Sequence, residues 1–148
     1  MRYLVAVSDG DVVGTARLAL RQDLSSGLGP LAAAVGWLYT LRGALVLGLV
    51  AHTRLAPGDA YVEELAVHSA HRRLGIGRAL LDHSETLAAA AGKRRVTLWV
   101  AEDNAAGVAL YRSCGYSTLR RHRTLRGRVL FGAPVALLMA KTLDTSSE

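Results

Sequence analysis

The stretch Leu65–Leu80, LAVHSAHRRLGIGRAL, decides how the chain is read. It opens as an apolar run, passes through a basic loop from His68 to Leu74, and reaches two glycines, Gly75 and Gly77, where a helical pattern begins. The first turn of a helix leaves its backbone N–H groups unpaired and carries a partial positive charge. It is therefore a natural seat for an anion, most often a phosphate. Glycines there let the backbone approach a ligand with no Cβ in the way. Arg72, Arg73 and Arg78 add charge around the same turn. Two familiar phosphate loops are excluded: no Gly-Lys-Ser/Thr follows, and the third glycine of a dinucleotide fingerprint would fall at Leu80.

On the C-terminal side, Ile76, Ala79, Leu80, His83, Leu87 and Ala90 recur at helical spacing and define the expected buried face, with His83 as a core histidine. Gly92 is the expected helix stop. Val96–Val100, VTLWV, reads as a strand buried on both faces. Asp103 or Asn104 then caps a helix that runs to about Cys114 and closes at Gly115. Tyr116–Leu119 begins another strand, Arg120–Arg128 is a basic strand end plus loop, and Pro134–Lys141 is the last strand. On the N-terminal side, Ala60–Val67 is a strand of mixed polarity, open on one face. Tyr3–Val7 and Val12–Leu20 form a hairpin through the turn Ser8–Asp11, where Asp-Gly favours positive φ. Strand–helix–strand units in the centre imply a right-handed parallel crossover. The expected class is α/β (an α+β mixed sheet) covered by helices, in one domain spanning 1–148.

Composition removes other classes. With 148 residues, 51% apolar and 20% charged, the chain is long enough for a core and too apolar for disorder. Its one cysteine, Cys114, excludes an internal disulfide and a paired-cysteine zinc site, and is expected in the core. His68 and His71 have no further ligand cluster, so no metal is expected. The net charge is +6, and all the basic residues except Lys93 and Lys141 are arginine. Arginine favours fixed, forked contacts to phosphate or carboxylate. The basic run at 120–128 has little aromatic interleaving, so nucleic acid is not an expected partner. The early Asp9 and Asp11 and the short apolar run at 3–7 do not make a secretory signal.

The positive mean hydropathy, +0.22, is concentrated at 28–51, LGPLAAAVGWLYTLRGALVLGLVA. At ~1.5 Å per residue this stretch is long enough to span a bilayer. Arg42 at its middle would cost roughly 2.5–3.5 kcal/mol there, and Pro30, Gly36, Gly43 and Gly48 weaken a straight helix. A buried or subunit-contact helix within 28–56 is the expectation, with a homodimer through 28–51 and no membrane span.

Two blocks together resemble a known family. Arg72-x-x-Gly75-x-Gly77 after Leu65-Ala66-Val67 is similar to the acyl-CoA motif of the GNAT N-acetyltransferases. Asn104, then Leu110-Tyr111 and Gly115-Tyr116, is similar to the block that follows the next strand in that family. The likeness is strong over about 61–116, and the acyl-CoA core is placed at 60–116 with C-terminal strands at 117–143. It implies a V-shaped cleft between the strand ending in Val67 and the strand Val96–Val100, with the pantetheine arm of acetyl-CoA between them. The Val67 N–H would bond the acetyl carbonyl. Amides from Arg73 through Ala79, including Leu74, Gly75, Ile76, Gly77 and Arg78, would hold the pyrophosphate beside Arg72. Asn104 would touch the pantetheine arm, or cap its helix, or both. Tyr111 would protonate the departing thiolate. Transfer would go directly to a bound amine acceptor with no covalent enzyme intermediate, and the setting would be cytoplasmic.

For the base, Glu63 and Glu64 are the available carboxylates, alongside water or another residue. Strand alternation puts them on opposite faces, with Glu63 on the face of Val67. Family members usually carry a strand and two helices ahead of the hairpin at 1–20, and those helices wall the acceptor site. In this chain only Met1 and Arg2 precede it, and the segment 28–51 or a second subunit is expected to supply that wall. A catalytically idle acyl-CoA-binding module is the alternative reading.

Overall fold

The computed structural model describes residues 1–20, 56–123 and 135–143. The segment expected at 28–51, its subunit contact, and the basic stretch 124–128 lie outside the described residues. Among the described residues six strands form one sheet: β1 (Arg2–Ser8), β2 (Asp11–Ala19), β3 (Asp59–Val67), β4 (Arg95–Ala101), β5 (Ser117–Arg123) and β6 (Val135–Thr142). Their spatial order is β1-β2-β3-β4-β6-β5. Helix α1 (Ile76–Ala90) connects β3 to β4, and α2 (Ala105–Ser113) connects β4 to β5. The β3–β4 pair is parallel and the other neighbouring strands are antiparallel. The mixed sheet and the central crossover match the expectation. The β1–β2 hairpin turns through Asp9 at φ 53° and Gly10 at φ 90°, as Asp-Gly predicts.

The core lies between the sheet and its helices. Leu18, Leu81, Leu98, Met139 and Val96 are its largest fully enclosed apolar side chains. On β4, Val96, Thr97, Leu98 and Val100 are buried, which explains the unbroken apolar run of a central strand. Cys114 is buried, as expected of a small core residue.

Helix α1 corrects one expectation. Its buried residues are Leu80, Leu81, Ser84, Glu85 and Ala88, while Ala79, His83 and Ala90 are exposed. The helix is thus turned by about one residue, ~100°, from the apolar stripe read in the sequence. Two polar residues hid the true face. The Ser84 Oγ donates to the Leu80 carbonyl at 2.8 Å, and Glu85 accepts from Lys141 Nζ at 2.6 Å. Each residue finds an internal partner, Ser84 through its hydroxyl and Glu85 through Oε2, which is what admits it to the buried face. His83 is not a core histidine; its Nδ1 lies 3.0 Å from the Ala79 carbonyl oxygen at the surface.

The seat of α1 on the sheet depends on Gly14. A Cβ there would meet Ile76 Cγ2 at 2.9 Å, Leu80 Cδ1 at 3.2 Å and the Ala66 carbonyl oxygen at 3.3 Å. Ile76 and Leu80 belong to the first turns of α1, so the close approach of β2 fixes where that helix begins. Gly14→Ala is expected to destabilise the fold by about 1–3 kcal/mol through overpacking. A thermal melt with a Tm at or above that of the native chain would refute this.

Candidate active site

The parallel pairing of β3 with β4 runs only from Asp59↔Arg95 to Val62↔Leu98. Beyond that rung both strands continue, β3 to Val67 and β4 to Ala101, without pairing to each other. The base is clamped. Asp59 accepts from Arg95 Nη2 at 2.6 Å and from its Nε at 3.1 Å, and Thr97 Oγ1 donates to the Ala60 carbonyl at 3.1 Å. A parallel pair tied at its base and open at its top is a V-shaped cleft.

At the cleft's β3 wall, the His68 N–H donates to the Val13 carbonyl on β2 at 2.8 Å. Strand alternation turns the N–H and C=O of the preceding residue the other way, so Val67 presents both into the gap. The Val67 carbonyl is met by Arg72 Nε at 3.3 Å. Arg72 therefore reaches back to the strand end instead of standing as a free charge in the loop. The Val67 N–H is left as the donor aimed into the cleft.

The loop after β3 makes a short 3-10 turn at Ser69–His71 and then takes left-handed backbone at Arg73, φ 65°, and Gly75, φ 81°. A non-glycine residue at such φ is uncommon, and such strain concentrates at functional sites. Gly75 caps α1 with no side-chain bond to the helix, and the first turn of α1 has no acidic residue. The first intrahelical donor is Ala79, whose N–H reaches the Gly75 carbonyl at 3.0 Å. The Ala79 amide is thus occupied, and the helix-terminal amides open to an anion are those up to Arg78. The Arg78 guanidinium points elsewhere: its Nη2 donates to Ser113 Oγ at 2.9 Å and to the Ser113 carbonyl at 3.2 Å.

Helix α2 forms the other flank. Asn104 caps it, accepting from the Gly107 N–H at 3.0 Å. Its C-terminus closes in a Schellman motif around Gly115 at φ 90°, with Gly115 N–H to Arg112 O at 3.0 Å and Tyr116 N–H to Tyr111 O at 3.0 Å. The motif brings its two flanking residues together, and the Tyr111 and Tyr116 rings lie 6.0 Å apart at a tilt of 59°. The spacing Tyr111-x-x-x-Gly115-Tyr116 is thus a device for fixing the Tyr111 ring against the core. Burial, and secondarily Cys114, raises the Tyr111 phenol above its ordinary range, so it stays protonated at neutral pH.

The two glutamates differ from expectation. The β2–β3 register slips between Arg17↔Glu64 and Leu18↔Val62, a bulge that sets Glu63 and Glu64 against one stretch of β2. Val62 is buried and Leu65 packs on the core, although they are three residues apart. Simple alternation is broken between them. Glu63 therefore does not share the Val67 face. It is on the face of Arg17, whose Nε lies 2.7 Å from Glu63 Oε2, while Glu64 is exposed. Sequence reading also missed Tyr61. Its phenol is raised by burial and then by Glu63, with Tyr111 among the groups close enough to act on it. Nothing in the sequence marks it apart from its place on the strand before Glu63. Among the described residues no group of three or more His, Cys, Asp or Glu is placed to hold a metal. No described helix is long and apolar enough to cross a membrane.

A splayed parallel pair, a glycine-opened helix at its mouth and a phenol on the following helix define an acyltransferase-type architecture. A family model described as acetyltransferase (GNAT) family matches residues 1–116, and the chain belongs to that family. Among curated proteins, mycothiol acetyltransferase of Clavibacter sepedonicus is 46% identical over 76 residues, covering 51% of this chain and 24% of that protein. The [ribosomal protein bS18]-alanine N-acetyltransferase of Escherichia coli K12 is 37% identical over 95 residues, covering 57% of this chain and 62% of that protein. The matched region thus spans less than two thirds of either relative. Among solved structures, Naa20 of Chaetomium thermophilum, in complex with a bisubstrate analogue, aligns with a TM-score of 0.66 at 26% identity, covering 95% of this chain and 65% of that one. The E. coli ribosomal-protein-S18-alanine N-acetyltransferase aligns with a TM-score of 0.61 at 22% identity, covering 99% and 73%, which shows a shared fold.

Proposed function

We propose that the protein is an acetyl-CoA-dependent N-acetyltransferase that moves the acetyl group directly to a primary amine. The observation that carries this reading is the opening of the β3–β4 pair above Val62 and Leu98, with the Val67 N–H turned into the gap. Acetyl-CoA would supply the activated acyl group as a thioester. The amides of Arg73 through Arg78 at the glycine turn are suited to its pyrophosphate, because that helix start has no side-chain cap bond and no acid of its own. The Val67 N–H would stabilise the negative charge on the carbonyl oxygen as the amine nitrogen attacks. The C–N bond forms, the C–S bond breaks, and the thiolate takes the Tyr111 hydroxyl proton. Asn104, fixed as a cap through its Oδ1, keeps its amide nitrogen for the pantetheine arm.

Glu64 is the preferred acceptor of the amine proton, directly or through water, because Glu63 is held by Arg17 at 2.7 Å. Glu64→Gln is expected to lower kcat/KM for the amine roughly tenfold, below the ~10²–10⁴ of a sequestered base, because an exposed carboxylate shares the task with solvent. A larger loss from Glu63→Gln than from Glu64→Gln would reverse the assignment.

The acceptor is sought with a panel of primary amines, following release of the CoA thiol. A peptide with an N-terminal alanine leads the panel, since one relative is named for alanine acetylation on a ribosomal protein. Binding of acetyl-CoA with no thiol release on any acceptor, unchanged by Tyr111→Phe, would favour an idle binding module. A cytoplasmic site of action is proposed on the ground that acetyl-CoA is available there. A homodimer through 28–51 is proposed from the apolar sequence of that segment, and sedimentation tests it.

A further inference from the structure

We propose that Arg78 is a positioning residue for Tyr111, acting by tying the start of α1 to the end of α2. The inference rests on the proposed role of Tyr111 as the acid and goes beyond it. In the C-terminal closure of α2, the Leu110 carbonyl accepts from the Cys114 N–H at 3.0 Å and from Ser113 Oγ at 2.7 Å. The Tyr111 carbonyl accepts from the N–H groups of Cys114 at 3.1 Å and Tyr116 at 3.0 Å, and the Arg112 carbonyl from Gly115 at 3.0 Å. The next carbonyl, at Ser113, is reached by the Arg78 guanidinium at 3.2 Å, and the same Nη2 holds Ser113 Oγ at 2.9 Å. A cation at the last carbonyl of a helix is favoured by both its charge and the unpaired oxygen. The Ser113 hydroxyl is fixed in turn by its bond to the Leu110 carbonyl.

A second contact joins the same two turns. A Cβ on Gly77 would come within 3.1 Å of Leu110 Cδ2, so the first turn of α1 lies directly against the side chain beside Tyr111. The glycine turn proposed to hold the pyrophosphate and the helix bearing the acid are thereby joined at Leu110 and Ser113, on either side of Tyr111. The thioester sulfur and the phenol must meet at hydrogen-bond distance for proton transfer. A strut between the two helices sets that distance. The Arg78 side chain therefore acts on the step that Tyr111 carries out, and not by neutralising phosphate.

The test compares Arg78→Ala, Arg78→Lys, Ser113→Ala and the Arg78→Ala/Ser113→Ala double variant by steady-state kinetics and by calorimetric titration with acetyl-CoA. Arg78→Ala is expected to lower kcat roughly tenfold, inside the ~10²-fold that a small misplacement can cost, with the acetyl-CoA dissociation constant changed less than about threefold. Arg78→Lys should restore part of kcat, and the double variant should be no slower than Arg78→Ala. In a Tyr111→Phe background, Arg78→Ala should add almost nothing. A tenfold or greater weakening of acetyl-CoA binding with kcat intact would make Arg78 a phosphate ligand and overturn the proposal. So would kcat losses that multiply in the double variant. If Arg78→Ala does not fold, Ser113→Ala and Arg78→Lys carry the same comparison. Full turnover by Tyr111→Phe alone would instead overturn the acid assignment, a result separable from either of these.

Discussion

Tyr111→Phe is expected to lower kcat by about 10²-fold or more while leaving acetyl-CoA affinity nearly unchanged, since general-acid groups contribute ~10²–10⁴-fold. The substitution removes one oxygen and keeps the ring, so packing of the Tyr111 and Tyr116 rings survives and stability should change little. The pH dependence follows from the direction of the phenol's shift. An acid must be protonated to act, and burial raises the Tyr111 phenol above the ordinary value of about 10. The native kcat should therefore hold level through neutral pH and fall only on the alkaline side, above about 10. In the Phe variant that alkaline fall should vanish along with most of the rate. A native rate that declines already near pH 8, or a variant that keeps the alkaline limb, would assign the limb to another group.

Leu98→Ala is expected to cost about 3 kcal/mol of stability. Leu98 is 1% exposed and stands on the last rung before β3 and β4 part, opposite Val62 on one side and Met139 on the other. Deleting a fully buried leucine loses the transfer free energy of the removed atoms and leaves a cavity, with costs of ~2–5 kcal/mol. Both neighbouring strands are pinned by hydrogen bonds to β4, so the site can collapse only slightly and the cost should not fall at the low end. For a chain that, like most, is stable by ~5–15 kcal/mol, that is a large fraction of the total. Denaturant unfolding should show a lower midpoint at unchanged slope, and Leu98→Met, which nearly conserves volume, should cost less than ~1.5 kcal/mol. An Ala variant within ~1 kcal/mol of native would mean that the vertex repacks, and that the cleft base is softer than its hydrogen bonds imply.

The two sequence blocks at 65–80 and 104–116 were legible because each is a local device. A glycine at φ 81° opening a helix and a glycine at φ 90° closing one leave marks within a few residues. The apolar run Val96–Val100 was legible for a related reason: a central strand covered on both sides needs no partner to reveal it. Three features were not legible. The buried face of α1 includes Ser84 and Glu85, and Glu85 is admissible there only because Lys141, 56 residues away, meets it at 2.6 Å. The faces of Glu63 and Glu64 are set by a bulge that exists only against β2. The Arg78 side chain, read as charge for the phosphate turn, is taken up by Ser113 on another helix.

The sequence alone pointed to the family through the resemblance of two motif blocks, and to the mixed sheet and the order of its described elements through short-range periodicity, caps and turns. Only the tertiary structure decided which way the site residues point. It showed that Arg72 turns back to Val67, that Arg78 braces α2, that Ala79 spends its amide on the helix, and that Glu63 belongs to Arg17. A side chain's partner is set by register and packing between segments far apart in the chain, and no local pattern encodes that distance.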